Sequence, residues 1–275
     1  MALEDLGLRR AAEVMASYPH LDKDYSLSEV LKQMDKAKTD RVMLTEDGSL
    51  RGIVTLRDIL FKLGTVRTKQ VSPSAMHASS FMSEPVASVG EEDTLLRAVS
   101  EMDKGGFTSV PVTREGEPVG MITRYELAKM IAESPRASDI SIRDVMRTPP
   151  VSVGLQTRIL HVRQLIQQYD MSVIPVVEDG RMVGVIGVDE LATVFIKYYE
   201  LARGEPKRIT PLKYVVVADA IKLRPPRASP DSSLAEAADL MAKARYRAVV
   251  VVDQDKPVGI VTGIELARAI LRVGG

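Results

Sequence analysis

Several residue types are missing or rare in this chain of 275 residues, and each absence excludes a class of function. Cysteine is absent, which excludes disulfides, thiolate metal sites and a cysteine nucleophile. Tryptophan is also absent, and aromatic residues make up only 4% of the chain, so platforms for stacking nucleic-acid bases are not expected. The 37 basic and 37 acidic side chains cancel, so no net field attracts nucleic acid or anionic lipid.

The chain also lacks a long apolar run. Its first ten residues contain no apolar signal core, and its longest apolar stretches, such as residues 248–252, are far too short to span a bilayer. A hydrophobic content of 45% is sufficient for a packed core. We therefore expect a cytoplasmic globular protein with no membrane partner. The absence of asparagine and cysteine is typical of a thermophile, although the 13 methionines do not match that pattern.

Four segments follow one pattern, in which a glycine opens a short apolar stretch that ends in an acidic residue. They read GIVTLRD, GMITRYE, GVIGVDE and GIVTGIE, at residues 52–58, 120–126, 184–190 and 259–265. Nine residues before each glycine lies the centre of an apolar run, and 25 residues before it an aliphatic residue opens a helical stripe. A further apolar residue lies 38 positions before three of the glycines, but 37 before the first, at Met15. These shared landmarks indicate a fourfold internal repeat.

Each repeat reads as strand, helix, strand, strand and helix, over about 60 residues. An acidic residue followed by glycine separates the two later strands in three repeats, which is typical of a β-hairpin turn. The fourth repeat has Asp253-Gln254-Asp255 at this place. A unit of this size buries little surface alone, so we expect repeats one and two, and repeats three and four, to form pairs. The predicted boundaries are 8–66, 78–134, 142–200 and 215–273, with linkers at 64–78 and 203–213.

With these features the chain is similar to the CBS-domain family, named for cystathionine β-synthase, over nearly its whole length. The resemblance rests on the Gly-h-h-Thr-x-x-Asp segment, the apolar-Pro-apolar strand before it, and the spacing between them. It implies an α/β fold of four CBS repeats that pack through their sheets as tandem pairs. It also implies that AMP, ADP, ATP or S-adenosylmethionine binds in clefts between paired repeats. The nucleotide-sensing regulatory subunit of AMP-activated kinase and stand-alone archaeal CBS proteins have this organisation.

The threonine and the acid of that segment allow two interpretations. A threonine followed three residues later by an acid can form a capping box, which satisfies free N–H groups where a helix begins. The same helix start suits a phosphate, and a carboxylate accepts hydrogen bonds from the two hydroxyls of a ribose. The resemblance implies this ligand-binding role for Thr55 and Asp58, which match the family pattern fully. Two further pairs match it in part, namely Thr123 with Glu126 and Thr262 with Glu265. Repeat three has Gly187 in place of the threonine, so we expect an empty or altered half-site there.

Two arginines and two apolar residues complete the predicted ligand site. In the related kinase subunit, basic residues stand two and three positions before the strand proline, and this sequence has Arg41 and Arg247 at such positions. They are candidate phosphate ligands, although an exposed arginine at the start of a strand is the alternative. The resemblance also implies that adenine packs on first-strand residues, here Val86 and Ala87, for which plain core packing is the alternative.

No residue stands out as catalytic. The three histidines stand apart in the sequence, and it contains neither a P-loop nor a dinucleotide-binding glycine motif. We therefore expect a non-enzymatic regulatory or energy-sensing protein that binds an adenine nucleotide, acts on a protein partner, and requires no metal or cofactor. The alternatives are a ligand-independent interaction scaffold and an S-adenosylmethionine-binding regulator linked to DNA, which the neutral net charge disfavours. The sequence leaves open whether the four repeats close a disc within one chain or through a homodimer.

Overall fold

The computed structural model of the protein describes residues 3–63, 73–201 and 211–274. Most of the two linkers predicted at 64–78 and 203–213 therefore lies outside the described residues. Of the helices in the described part of the chain, none combines the length and the apolar character that a bilayer-spanning segment requires.

The first half of the chain contains two short helices followed by repeats one and two. The short helices are α1 (Leu3–Gly7) and α2 (Ala11–Val14). Repeat one comprises β1 (His20–Asp22), α3 (Leu27–Ala37), β2 (Arg41–Glu46), β3 (Ser49–Thr55) and α4 (Leu56–Lys62). Repeat two comprises β4 (Val89–Gly90), α5 (Leu95–Gly105), β5 (Ser109–Arg114), β6 (Glu117–Thr123) and α6 (Arg124–Ala132).

The second half follows a short connecting helix, α7 (Pro135–Ser138). Repeat three comprises α8 (Ile159–Gln168), β7 (Val173–Glu178), β8 (Arg181–Gly187) and α9 (Val188–Leu201). Repeat four comprises β9 (Arg227–Ala228), α10 (Leu234–Ala244), β10 (Ala248–Asp253), β11 (Lys256–Thr262) and α11 (Gly263–Gly274). The predicted mixed α/β repeat is thus confirmed, with one difference. The first strand of repeat three is reduced to a single parallel bridge between Val153 and Val176.

The first helix of repeats one, two and four forms because apolar residues recur at helical spacing behind a capping residue. In α3, Leu27, Val30 and Met34 are buried, and the Ser26 side chain accepts a hydrogen bond from a backbone N–H of the first turn. Helices α5 and α10 bury equivalent stripes behind caps of the same kind. The predicted amphipathic pattern therefore determines which face of these helices meets the core.

The second and third strands of each repeat form an antiparallel hairpin, and the first strand, where present, pairs in parallel with the second. The two central turn residues of every hairpin have positive φ, at 47–48, 115–116, 179–180 and 254–255. This is the geometry of a type I′ turn, and it explains the acid–glycine pairs of the first three repeats. Repeat four makes the same turn without glycine, with φ values of 46° at Gln254 and 67° at Asp255.

The four repeats contact one another in a closed ring within the single chain. Strands of repeats one and two meet around the buried residues Met43, Ile53 and Met121, and strands β8 and β11 join repeats three and four. Helices then connect the two halves, because α4 packs on α9 while α5 and α6 pack on α10 and α11. Repeat one therefore faces repeat three, and repeat two faces repeat four.

Candidate functional site

A cavity of about 300 Å³ lies where the four repeats approach one another, and every repeat contributes to its wall. It includes six of the ten site residues predicted from the sequence, namely Arg41, Thr55, Asp58, Val86, Ala87 and Arg247. Repeat three adds Asp170 and Ser172. We call this space the Asp58 cavity.

Asp58 is held at the start of α4 by the predicted capping box. Its Oδ2 accepts hydrogen bonds from the Thr55 N–H at 2.8 Å and from the Thr55 hydroxyl at 2.6 Å. Its Oδ1 accepts from the Ser83 hydroxyl, at 2.9 Å, in the segment before β4. A carboxylate oxygen has more than one acceptor direction, so Oδ1 can still accept a hydrogen bond from a molecule in the cavity. Asp58 therefore both caps helix α4 and lines the cavity.

Apolar residues form another part of the cavity wall. Pro85, Val86 and Ala87 come from the segment before β4, and Phe107 and Ile264 come from repeats two and four. The side chain of Ala87 is small and that of Val86 is larger, and a flat apolar group can lie against such a surface. The cavity is thus lined by both a carboxylate and an apolar surface.

A buried ionic cluster forms the floor of the cavity. Asp40 accepts from the Arg41 guanidinium at 2.9 and 3.1 Å, from Arg124 Nη2 at 2.7 Å and from Arg247 Nη2 at 3.0 Å. Arg247 also binds Asp189 through two hydrogen bonds, one of them from Nε at 2.7 Å. We call these five residues the Asp40 cluster. Neither Arg41 nor Arg247 is an exposed arginine, since their exposed fractions are only 3% and 6%.

The charges of the Asp40 cluster determine its ionisation. Burial alone would raise the pKa of Asp40, but Arg124, Arg41 and Arg247 hold that pKa well below its usual range. Asp40 is therefore ionised at any physiological pH and acts as a permanent partner for three arginines from three repeats.

The third arginine that lines the cavity, Arg57, is bound across repeats one and three. Arg57 donates to the Asp170 carboxylate at 2.6 Å and to the carbonyl oxygen of Met171 at 2.8 Å. Burial lowers the pKa of Arg57, and the nearby Asp170 opposes that effect. Each cavity arginine, whether at position 41, 57 or 247, therefore already has a carboxylate partner within the protein.

The equivalent cleft beside repeat two is filled by the protein itself. Glu126 Oε2 accepts from the Thr123 N–H at 2.9 Å and from the Thr123 hydroxyl at 2.5 Å. The hydroxyl of Tyr18 lies 3.1 Å from Thr123 Oγ1 and 3.5 Å from Glu126 Oε2. Burial raises the pKa of Tyr18 to about 12, so this hydroxyl stays protonated. Thr123 and Glu126 are both buried and do not border the Asp58 cavity.

Sequence reasoning missed Tyr18, although one signal was present. Backbone bridges make Ala16 equivalent to Ser83, and strand pairing makes Leu21 equivalent to Val89. Five residues separate the first pair and six the second, which is the one-residue shortening seen before the first glycine of the repeat. This shorter path places a tyrosine where repeat two has the small apolar residues of the cavity wall.

In repeat three, the hydroxyl of a tyrosine from repeat four takes the place of the missing threonine hydroxyl. The Gly187 N–H donates to Glu190 Oε2 at 2.9 Å, and the Tyr246 hydroxyl lies 3.0 Å from each carboxylate oxygen of Glu190. Burial is the main cause of a raised pKa for both Glu190 and Tyr246. A tyrosine from the neighbouring repeat therefore contacts the acid where repeat three lacks the threonine, and the expectation of an empty or altered ligand half-site stays a prediction.

In the last predicted pair, Thr262 and Glu265, the glutamate borders a different cavity. Glu265 Oε2 accepts from the Thr262 N–H at 2.9 Å and from its hydroxyl at 2.5 Å. Glu265 borders a space of about 340 Å³ with Arg147, Arg268 and other residues from the start of repeat three. Within residues 3–63, 73–201 and 211–274, no three histidine, aspartate or glutamate side chains form a group that could hold a metal ion.

Comparison with known sequences identifies the repeat. The CBS-domain family model matches four times, at residues 11–64, 78–133, 142–197 and 217–272. An uncharacterized 33.4 kDa protein in the ribosomal RNA operon of Thermofilum pendens is 30% identical over 141 residues, which is 48% of this chain and 46% of that protein. Protein MJ1404 of Methanocaldococcus jannaschii, also uncharacterized, is 26% identical over 230 residues, which is 79% of this chain and 50% of that protein. The chain thus spans about half the length of these curated relatives.

Solved structures show the same arrangement of four repeats. Protein MJ1225 of Methanocaldococcus jannaschii, described as a candidate archaeal homologue of g-AMPK, superposes with a TM-score of 0.83 at 17% identity. The superposition covers 95% of this chain and 99% of that one. An uncharacterized conserved protein of Pyrococcus horikoshii gives a TM-score of 0.65 at 19% identity, over 95% of this chain and 100% of that one. The repeats, their hairpins and these matches together show that the chain belongs to the CBS-domain family.

Proposed function

We propose that the chain is a non-catalytic regulatory protein that binds an adenosine-containing small molecule in the Asp58 cavity. The observation that carries this proposal is the position of Asp58, which lines the cavity together with the apolar residues Val86 and Ala87. A ribose has two adjacent hydroxyls that can donate to this carboxylate, and adenine is a flat group suited to the apolar wall. Charge-assisted hydrogen bonds of this kind are among the stronger contacts available to a ligand.

The position of the cavity supports a regulatory role. A ligand inside it would contact residues from all four repeats, and so both halves of the ring. A ligand shifts an equilibrium only as far as its affinity differs between two states. We propose that the two states differ in how the pair of repeats one and two, with boundaries near 8–66 and 78–134, sits against the pair near 142–200 and 215–273. A protein partner would bind the two states with different affinities.

The proposal implies about one ligand per chain at the Asp58 cavity. The clefts beside Glu126 and Glu190 are less suitable, because the hydroxyls of Tyr18 and Tyr246 already contact those carboxylates. The pair Thr262 and Glu265 remains a candidate for a second, weaker site because Glu265 borders a separate cavity.

A ligand-independent scaffold is the competing function. It is favoured by the capping boxes, which give Thr55, Asp58 and their equivalents a structural task without any ligand. Such a cap contributes about 0.5–2 kcal/mol to stability. The two functions differ in the role of the cavity, since a scaffold does not need a cavity that is lined by both a carboxylate and apolar residues.

Calorimetric titration of the purified protein with adenosine and AMP tests the proposal. We expect heat of binding with a stoichiometry near one, and a rise in melting temperature that grows with ligand concentration, because a ligand bound to the native state stabilises it. The scaffold function would stand instead if neither heat nor a thermal shift is seen at millimolar ligand.

A further inference from the structure

The charges around the Asp58 cavity restrict which adenosine compound can bind there. Its lining contains three basic side chains, Arg41, Arg57 and Arg247, and three acidic ones, Asp40, Asp58 and Asp170. A site for a triphosphate needs an excess of unpaired cations, because each added phosphate brings further negative charge. This lining has no such excess.

The arginines of the cavity are also already paired. Arg41 and Asp40 form a two-point contact at 2.9 and 3.1 Å, and the exposed fractions of their side chains are only 4% and 9%. Arg247 is held between Asp189 and Asp40, and Arg57 binds Asp170 at 2.6 Å. A phosphate chain would have to displace these carboxylates or lie next to them, and like charges at such distances repel strongly where water is excluded.

The Asp40 cluster as a whole leaves one positive charge in surplus. Its three arginines face two carboxylates, and the third arginine, Arg124, is only 1% exposed and lies behind Asp40. Gly263 packs closely against Arg124, since a Cβ at Gly263 would lie 2.5 Å from the Cβ of Arg124, and Arg124 is not among the residues that line the cavity. One surplus charge suits a neutral compound or a monophosphate, but not the three or four charges of a nucleoside triphosphate.

We infer that Asp40 is the specificity-determining residue of the Asp58 cavity, and that the cavity takes an adenosine compound of low charge, such as adenosine or AMP, in preference to ADP and ATP. This inference rests on the proposed function, because it presupposes that an adenosine compound binds beside Asp58. Asp40 occupies, within the protein, the place that an anionic group of a ligand would need. Asp170 makes the same contribution at Arg57, to a smaller extent because its side chain is 66% exposed.

Titration of the wild-type protein with adenosine, AMP, ADP and ATP in buffer without divalent cations is the primary test. We expect affinity to fall at least about tenfold from AMP to ATP, since one unfavourable charge contact in a partly buried site has that effect. ATP binding as tightly as AMP, or more tightly, would overturn the inference while leaving the proposed function intact. No binding by any of the four would overturn both.

Two variants test the residues by name. Asp40→Asn keeps the shape of the side chain and removes its charge, and we expect the ratio of ATP to AMP affinity to rise about tenfold or more. Asp170→Asn lies at the exposed edge, so it will not disturb the buried cluster, and we expect the same ratio to rise about threefold. The second variant keeps the inference testable even if Asp40→Asn fails to fold.

Asp231→Asn is the matched control. Asp231 binds Arg143 at 3.0 Å with an exposed side chain, outside the cavity, and the change alters the net charge of the protein by the same amount. We expect the ATP to AMP ratio of this variant to equal that of the wild type. An equal rise in all three variants, or no rise in either cavity variant, would contradict the role of Asp40 and Asp170.

Discussion

The two clefts formed by repeats one and two are built from the same capping box, yet only one of them opens into a cavity. Beside Asp58, the facing segment presents Ser83 and then small apolar residues, and about 300 Å³ of space remains. Beside Glu126, the equivalent segment is one residue shorter, and the hydroxyl of Tyr18 reaches Thr123 and the carboxylate. The acid at the helix start therefore does not by itself make a site, because the opposite segment decides whether there is room.

The comparison also separates two tasks that look identical in sequence. Each threonine–acid pair satisfies the N–H groups where a helix begins, whichever cleft it lies in. Only the Asp58 pair borders a space lined by all four repeats. Changes that open the closed cleft or close the open one will show whether the space, rather than the cap, is the functional feature.

The largest effect is expected from removing the Tyr18 side chain, which fills the cleft beside Glu126. Tyr18→Ala should lower the free energy of unfolding by about 2–4 kcal/mol, because a large half-buried ring and its hydrogen bonds are lost. It should also expose Thr123 and Glu126, so that adenosine binding rises from one site per chain to two. Chemical denaturation and calorimetry measure the two quantities. Loss of stability with unchanged stoichiometry would mean that the Glu126 cleft has no affinity of its own.

Replacing the acid of each cleft by alanine, one at a time, gives the next largest effect. Asp58→Ala should weaken ligand binding by about 1.5–3 kcal/mol, which is roughly 10- to 150-fold, because charge-assisted hydrogen bonds to the ribose are lost. Glu126→Ala should leave ligand affinity unchanged, although both variants lose a helix cap worth about 0.5–2 kcal/mol of stability. Equal affinities in the two variants, measured by calorimetry, would contradict the distinction between the clefts.

The hydroxyls of Tyr18 and Tyr246, which contact Glu126 and Glu190, are expected to contribute differently to the free energy of unfolding. Tyr246→Phe removes the side-chain hydroxyl that contacts Glu190 in a repeat without the threonine, and we expect a loss of about 1–3 kcal/mol in unfolding free energy. Tyr18→Phe should cost only about 0.5–1.5 kcal/mol, because Thr123 still donates to Glu126. Urea denaturation of both variants decides the order, and a larger loss for Tyr18→Phe would show that the threonine does not compensate.

The smallest expected effect is a pH dependence at the closed cleft of repeat three. Burial, and then the charge of Asp189, raise the pKa of Glu190 above its ordinary value of 4.5. A carboxyl group with a raised pKa in the folded state favours folding while protonated, so its contribution is lost as the pH rises through that pKa. The unfolding free energy of the wild type, relative to Glu190→Gln, should therefore fall as the pH is raised from 4.5. A constant difference would contradict the raised pKa.

Much of the fold followed from local patterns in the sequence. The helical stripes, the acid–glycine turns and the spacing of the glycines depend on neighbours along the chain, so each repeat could be recognised without its surroundings. Arg41, Asp58 and Arg247 were selected from the same patterns, and the structure brings them to one cavity although 206 residues separate the first from the last. Their binding role stays a prediction.

What the sequence could not provide depends on contacts between repeats. The pairing of Asp40 with Arg124 and Arg247 joins positions 84 and 207 residues apart, and it follows from repeat one facing repeat three while repeat two faces repeat four. The same holds for Tyr18 and Tyr246, whose partners lie in another repeat. Helix stripes alone allow either arrangement of the two halves, so the charge balance of the cavity was not predictable.

The most direct test of the account is a crystal structure of the protein grown with AMP. We expect density for one nucleotide in the Asp58 cavity, with its ribose hydroxyls within hydrogen-bond distance of the Asp58 carboxylate, adenine against Val86 and Ala87, and the Tyr18 hydroxyl still beside Glu126. A nucleotide bound at another cleft while this cavity holds only water would contradict the account.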